Sequence, residues 1–87
     1  MTGKPIRFTN HARFEMSRRG IRLADVVAVI RHPGQVLPSV KGRRIYQSRI
    51  GPAGHMLLRV IVRERAQAYH VITAYKTSKI SKYWRSP

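Results

Sequence analysis

The sequence predicts an α+β domain, with an N-terminal helix hairpin packed on one face of a four-stranded antiparallel sheet and a short C-terminal helical tail. Two observations predict it. Apolar residues recur at helical spacing as far as Pro33 and at strand spacing from Gly34 onward. The connections between the later segments are too short for parallel returns.

Residues 1–8 form a lead-in ending on Phe8. Thr9 or Asn10 can cap a first helix running to about Arg19, and Gly20 stands where a left-handed residue closes it. Its apolar stripe is thin: Ala12 and Met16, with Phe14 beside them. A second helix follows, with Leu23, Val26, Val27 and Ile30 at helical spacing. Asp25 suits its positive end, and Pro33 stops it. QVLPSV, RRIYQSRI, HMLLRVIV and AYHVITAY then read as strands, rich in β-branched and aromatic residues. Lys41-Gly42, the Gly51–Gly54 loop and Glu64–Gln67 supply the turns, and Pro38 assigns the first run to an edge. Residues 78–84 form the tail. The 87 residues allow a single domain spanning 1–87.

One sheet face is then left to solvent or to the tail. In the third strand Met56, Leu58, Val60 and Val62 share the helix side, which puts Arg59 and Arg63 on the open side. Alternation in the fourth strand assigns Tyr69, Thr73 and Tyr75 to the open side.

Eighteen Lys and Arg against three acids give a net charge of +15. A folded surface so charged implies an anionic partner, and phosphate polymers fit because neutralised phosphates release counterions. No long amphipathic helix suggests a membrane surface, and no signal-like apolar segment opens the chain, so a cytoplasmic protein is expected. The absence of cysteine removes disulfides and thiolate chemistry. With only Glu15, Asp25 and Glu64 as acids, paired-carboxylate hydrolysis and two-metal nuclease chemistry lack their residues. The four histidines lack metal-ligand spacing. No metal or cofactor is expected.

Metal-free attack on a phosphodiester remains open. RNA carries its own nucleophile in the 2′-hydroxyl. The protein need add only an acid, a base and positive charge. Each candidate has a bland alternative. His11 can cap or pack rather than transfer protons, and His70 sits in an apolar strand like a core histidine. Tyr83 and Trp84 can seal the core rather than stack on bases.

The stretch FTNHARFEMSRRGI at 8–21, the H-P-G at 32–34 and the ending VITAYKTSKISKYW at 71–84 resemble a family of small bacterial proteins without an assigned activity. That family is similar to the BrnT and RelE groups of toxin–antitoxin ribonucleases. The resemblance implies two helices against an antiparallel sheet and catalysis by basic and aromatic side chains. It matches His11 and Arg13 of H-A-R-F, the Arg19-Gly20-Ile21 corner, and Thr73, Tyr75, Lys79 and the Lys82-Tyr83-Trp84 ending.

The expected function is a metal-independent endoribonuclease toxin cleaving mRNA, free or on the ribosome, with a cognate acidic antitoxin as protein partner. His11 is the expected acid or base, and Arg44 and Arg59 hold the scissile phosphate. Tyr75 donates a second proton, Lys79 clamps phosphate and Thr73 positions the substrate. Arg13, Arg19, Arg43, Lys76, Lys82 and Tyr83 are the expected RNA contacts. The alternative is a non-catalytic RNA- or ribosome-binding module. A DNA-reading helix pair is disfavoured, because the second helix is too apolar to face a major groove.

Overall fold

A computed structural model describes residues 3–86; Met1, Thr2 and Pro87 of the expected 1–87 domain lie outside the described residues. The chain runs β1 (Ile6–Phe8), α1 (Asn10–Arg18), α2 (Leu23–Arg31), β2 (Gln35–Pro38), β3 (Arg44–Ile50), β4 (Met56–Glu64), β5 (Tyr69–Thr77) and α3 (Ile80–Tyr83). The sheet has five strands in the order β1-β5-β4-β3-β2. This corrects the four-stranded antiparallel expectation. The lead-in IRF forms β1 and pairs parallel to Tyr69–Val71 of β5. A three-residue strand is too short to show a period, and the chain between β1 and β5 is ample for a parallel return.

Local chemistry sets the helix ends. Thr9 Oγ1 accepts from Ala12 N at 2.9 Å, and Gly20 takes the left-handed conformation (φ +67°) that closes α1. Arg22 gives α2 no side-chain cap but pairs with Asp25 in the first turn. α1 buries Ala12 and Met16, and α2 buries Val26, Val29 and Ile30. Leu23, expected inside, is exposed, and Val29 packs in the core. These residues and Ile21 meet Tyr46, Leu58, Val60, Val62, Val71 and Ala74 on one sheet face. Burial of this kind stabilises by about 1.5–3 kcal/mol per large aliphatic side chain.

A bulge in β5 decides which residues reach the other face. Ile61 pairs with Thr73 and Val62 with Val71, so Ile72 has no partner on β4. The extra residue inverts the alternation before it. Tyr69, expected on the open side, instead packs against the core and meets Tyr46 edge-to-face at 5.9 Å. His70 is thereby turned to the open side opposite Arg63. Thr73 and Tyr75 lie there as expected.

Beyond β1, the outer edge of β5 has no neighbouring strand among the described residues. Arg19 reaches it from the end of α1, where Nη1 donates to the Ala74 carbonyl at 2.9 Å. A cation on an exposed sheet edge also discourages edge-to-edge association.

Candidate functional site

The sheet face opposite the helices carries cross-strand rows fixed by register. In one row Gln35 faces Gln47, Gln47 faces Arg59, and Arg59 faces Tyr75. The side chains form a continuous chain of hydrogen bonds. Gln47 Nε2 donates to Gln35 Oε1 at 2.8 Å. Arg59 Nε donates to Gln47 Oε1 at 2.8 Å, and its Nη1 to Tyr75 Oη at 2.6 Å. Gln47 is fully buried and Arg59 only 7 % exposed.

The tail covers this row. The Arg59 guanidinium lies over the Tyr83 ring, 4.1 Å from its centroid, and Tyr83 meets Tyr75 edge-to-face at 6.4 Å. The Tyr83 carbonyl accepts from Gln47 Nε2 at 3.2 Å, and Arg85 N donates to Gln35 Oε1 at 3.1 Å. Trp84 reaches Gly34, where an added Cβ would fall 2.9 Å from its Cη2, and Arg49 lies over its ring. Tyr83 and Trp84 therefore roof a buried polar row.

Among the described residues no acid balances Arg59. Glu15 pairs with Arg18 and Arg19, Asp25 with Arg22, and Glu64 with Lys4 and Arg44. Burying a cation among neutral partners is costly, even with two hydrogen bonds and a ring face to offset it. Among the described residues Arg59 Nη2 has no hydrogen-bond partner. An anion fits this arrangement: the guanidinium is held rigid, its charge is uncompensated and donors remain free.

The structure brings some of the expected site residues together and separates others. Arg59, Tyr75 and Tyr83 are in contact, Lys82 lies over the Tyr83 ring at 5.2 Å, and Thr73 is two residues from Tyr75 on the same face. Lys79 is exposed at the start of α3, immediately before the roof. Arg43 shares the face with Gln47. His11 does not join them. It is exposed on α1, in the layer on the other side of the sheet. Arg44 and Lys76 alternate onto the helix side, because each is an odd number of residues from a position facing Arg59. Arg13 lies over Phe8 on the same layer, and Arg19 pairs with Glu15 and reaches the β5 edge, where Nη1 donates to the Ala74 carbonyl and, at 3.4 Å, to Thr73 Oγ1.

Gln35 and Gln47 were missed. Neither glutamine carries a motif, and the only available signal was polar residues at inward positions of two neighbouring strands. Among the described residues no three His, Cys, Asp or Glu side chains gather in a way that could hold a metal.

Arg44 instead joins a knot at the opposite end of β4. There Tyr46 Oη donates to Glu64 Oε1 at 2.7 Å, and Lys4 Nζ pairs with Oε2 at 3.0 Å. Burial, with Glu64 adding to it, pushes the Tyr46 phenol up to about 12. The bond from Tyr46 and that from Lys4 hold the Glu64 carboxyl below its ordinary value.

The fold falls within the class of small α+β domains that set two helices against one face of a mixed sheet. The crystal structure of the Brucella abortus ribonuclease toxin, BrnT, superimposes with a TM-score of 0.66 over 88 % of this chain and 100 % of that one, at 17 % identity. At that identity the likeness is one of fold. The chain belongs to the family described as a domain of unknown function (DUF4258), whose model matches residues 8–80. No curated protein matches the sequence.

Proposed function

We propose that this chain is a metal-independent endoribonuclease toxin that cleaves mRNA, free or ribosome-bound, and is held in check by an acidic antitoxin. One observation carries the reading: a buried guanidinium with no carboxylate partner among the described residues, joined to a phenol beneath the tail on the sheet face opposite the helices. The basic composition and the shared fold with a ribonuclease toxin support it. Arg59 would bind the scissile phosphate and stabilise the charge that builds on its oxygens as the 2′-hydroxyl attacks phosphorus. The bond to the 5′-oxygen breaks, and Tyr75 gives that oxygen its proton. The proton of the 2′-hydroxyl passes to water. The products are a 2′,3′-cyclic phosphate and a 5′-hydroxyl. Lys79 and Lys82 add positive charge at the rim, and Thr73 lines the approach. His11 and Arg44, on the other side of the sheet, have no part in this step.

The test is induction of the protein in a bacterial host, together with incubation of purified protein with RNA in chelator. Growth arrest and fragments ending in 2′,3′-cyclic phosphate are expected from the native protein and absent with Arg59→Met. Intact RNA with and without ribosomes, beside normally growing induced cells, overturns the reading.

The depth of Arg59 favours a second reading. A guanidinium already hydrogen-bonded twice and roofed by Tyr83 can serve as a phosphate anchor in a binding module that does not cut. Salt-sensitive RNA binding without cleavage is the outcome that selects it.

A further inference from the structure

Four residues beyond Arg59 along β4, a second row crosses the same face. Arg63 faces His70 across β4 and β5, and His70 faces Arg7 of β1. Arg43 stands one residue before the Arg44–Val62 pair, with extended backbone (φ −93°, ψ 164°), and so continues the row onto the β3 side. Arg7, Arg63 and His70 point away from the helices, since their strand neighbours Phe8, Val62 and Val71 pack into the core, and Arg43 follows by alternation from Gln47. None of the four makes an ion pair with an acid among the described residues. Arg43 Nε is moreover buried without a hydrogen-bond partner among the described residues, a cost that an anion accepting from it would remove.

Between the two rows lies an apolar strip. Leu37 faces Ile45, Ile45 faces Ile61, and Ile61 faces Thr73, all half-buried and beyond the tail. The face therefore alternates: the guanidinium of Arg59, an apolar strip, and a cationic row. Single-strand-binding surfaces combine these elements, with charge tracking the backbone and flat surface beneath the bases.

We infer that Arg7, Arg43, Arg63 and His70 form a second phosphate subsite, so that a single RNA strand lies along β4 with one phosphate at Arg59 and another at this row. The inference rests on the reading of the face as an RNA site but does not require cleavage. Four residues of β4 span about 13 Å at ~3.3 Å each. That is roughly four stacked nucleotides at ~3.4 Å rise, or fewer if the strand is stretched. Affinity should therefore step up once an oligomer exceeds about two to four nucleotides.

The experiment measures binding of 2′-O-methyl oligouridylates of two to eight nucleotides, which cannot be cleaved, at several salt concentrations. Arg7→Gln/Arg63→Gln is compared with Arg22→Gln/Arg31→Gln, which removes two charges from α2 and its cap. The first variant should lose the step in affinity with length, weaken octamer binding tenfold or more, and lower the salt slope by ~0.7 for every phosphate it no longer neutralises. Arg7→Lys/Arg63→Lys, which keeps the charge should the glutamines disturb folding, should keep most of the slope. Equal losses in the two Gln variants, or a native protein whose affinity does not rise with length, overturn the subsite. A native protein that binds with the expected step but leaves cleavable RNA intact refutes the nuclease reading and keeps this one.

Discussion

Arg59 Nη1 donates to Tyr75 Oη at 2.6 Å across β4 and β5, and this bond joins a deeply buried cation to an ionisable hydroxyl. The pair is unusual because no carboxylate accompanies it among the described residues. Buried charge without a counter-ion tends to lower stability, so its presence is better explained by what it binds than by what it holds up. Arg59→Met separates the two roles. It keeps most of the volume, removes the charge and leaves Gln47 Oε1 short of one donor. Stability in urea should move by no more than about 1 kcal/mol, because relief of charge burial offsets the missing bonds. RNA cleavage should fall about 100-fold or more. A variant that is both stable and still active would show Arg59 to be a bystander.

Tyr75→Phe keeps the ring against Tyr83 and removes only the hydroxyl. The fold should lose ~0.5–1.5 kcal/mol, and cleavage should drop by about 10²–10⁴ if the phenol supplies the proton to the leaving oxygen. A substrate with sulfur in place of that oxygen needs little protonation on departure. The native protein and the Phe variant should cut it at similar rates. An equal defect on both substrates would mean that Tyr75 positions Arg59 rather than donating.

Much of this face was readable from the residues alone, and the gaps have physical causes. Strict alternation in MLLRVIVRE put Arg59 and Arg63 on the open side, because strand period is a local property. It misplaced Tyr69, since the bulge at Ile72 is set by packing of Val71 and Ala74 on the same core rather than by any turn residue. β1 escaped notice because three residues carry no period. His11 looked attractive as the histidine of the H-A-R-F motif, but sequence spacing cannot tell which layer of the fold a helix joins. The Gln35–Gln47 link depends on the register of two strands joined by a turn, and alternation alone leaves that register open.

Gly34 is predicted to control the roof. Its N–H donates to the Gln47 carbonyl at 3.0 Å and to Ser48 Oγ at 2.8 Å, so its backbone is held close to β3. An alanine Cβ would meet Trp84 Cη2 at 2.9 Å and the Gln47 carbonyl at 3.2 Å. Gly34→Ala should push the indole outward, red-shift the emission of the single tryptophan and cost ~1–3 kcal/mol. In a Trp84→Ala background the same change should cost clearly less, a coupling that a double-mutant cycle reads directly. Additive costs would show that the strain is taken up by β3 instead of the tail.

The Tyr46–Glu64 bond predicts how stability responds to pH. Glu64 has a folded value lowered from 4.5. Its contribution is therefore complete above about pH 4.5 and is lost as pH falls through the lowered folded value. Tyr46 is raised from 10.0 to about 12. Its contribution is complete below pH 10 and disappears as pH climbs from there toward 12, on the order of 2–3 kcal/mol at 1.36 kcal/mol per unit. Urea denaturation at fixed salt should give a stability profile that falls on both sides. Tyr46→Phe removes the titrating phenol and the principal bond that lowers Glu64, so both limbs should flatten together. Glu64→Gln should remove the Glu64 share of the acid limb, leaving that of Glu15, which its bond with Arg18 also holds low, and shift the onset of the alkaline limb, because burial still raises Tyr46 but the carboxylate no longer does. Lys4→Met should soften only the acid limb, since of these two titrating groups Lys4 lowers Glu64 and does not act on Tyr46. If Tyr46→Phe left the acid limb as steep as in the native protein, the lowered value of Glu64 would have to come from Lys4 and Arg44, and the phenol would be a passenger.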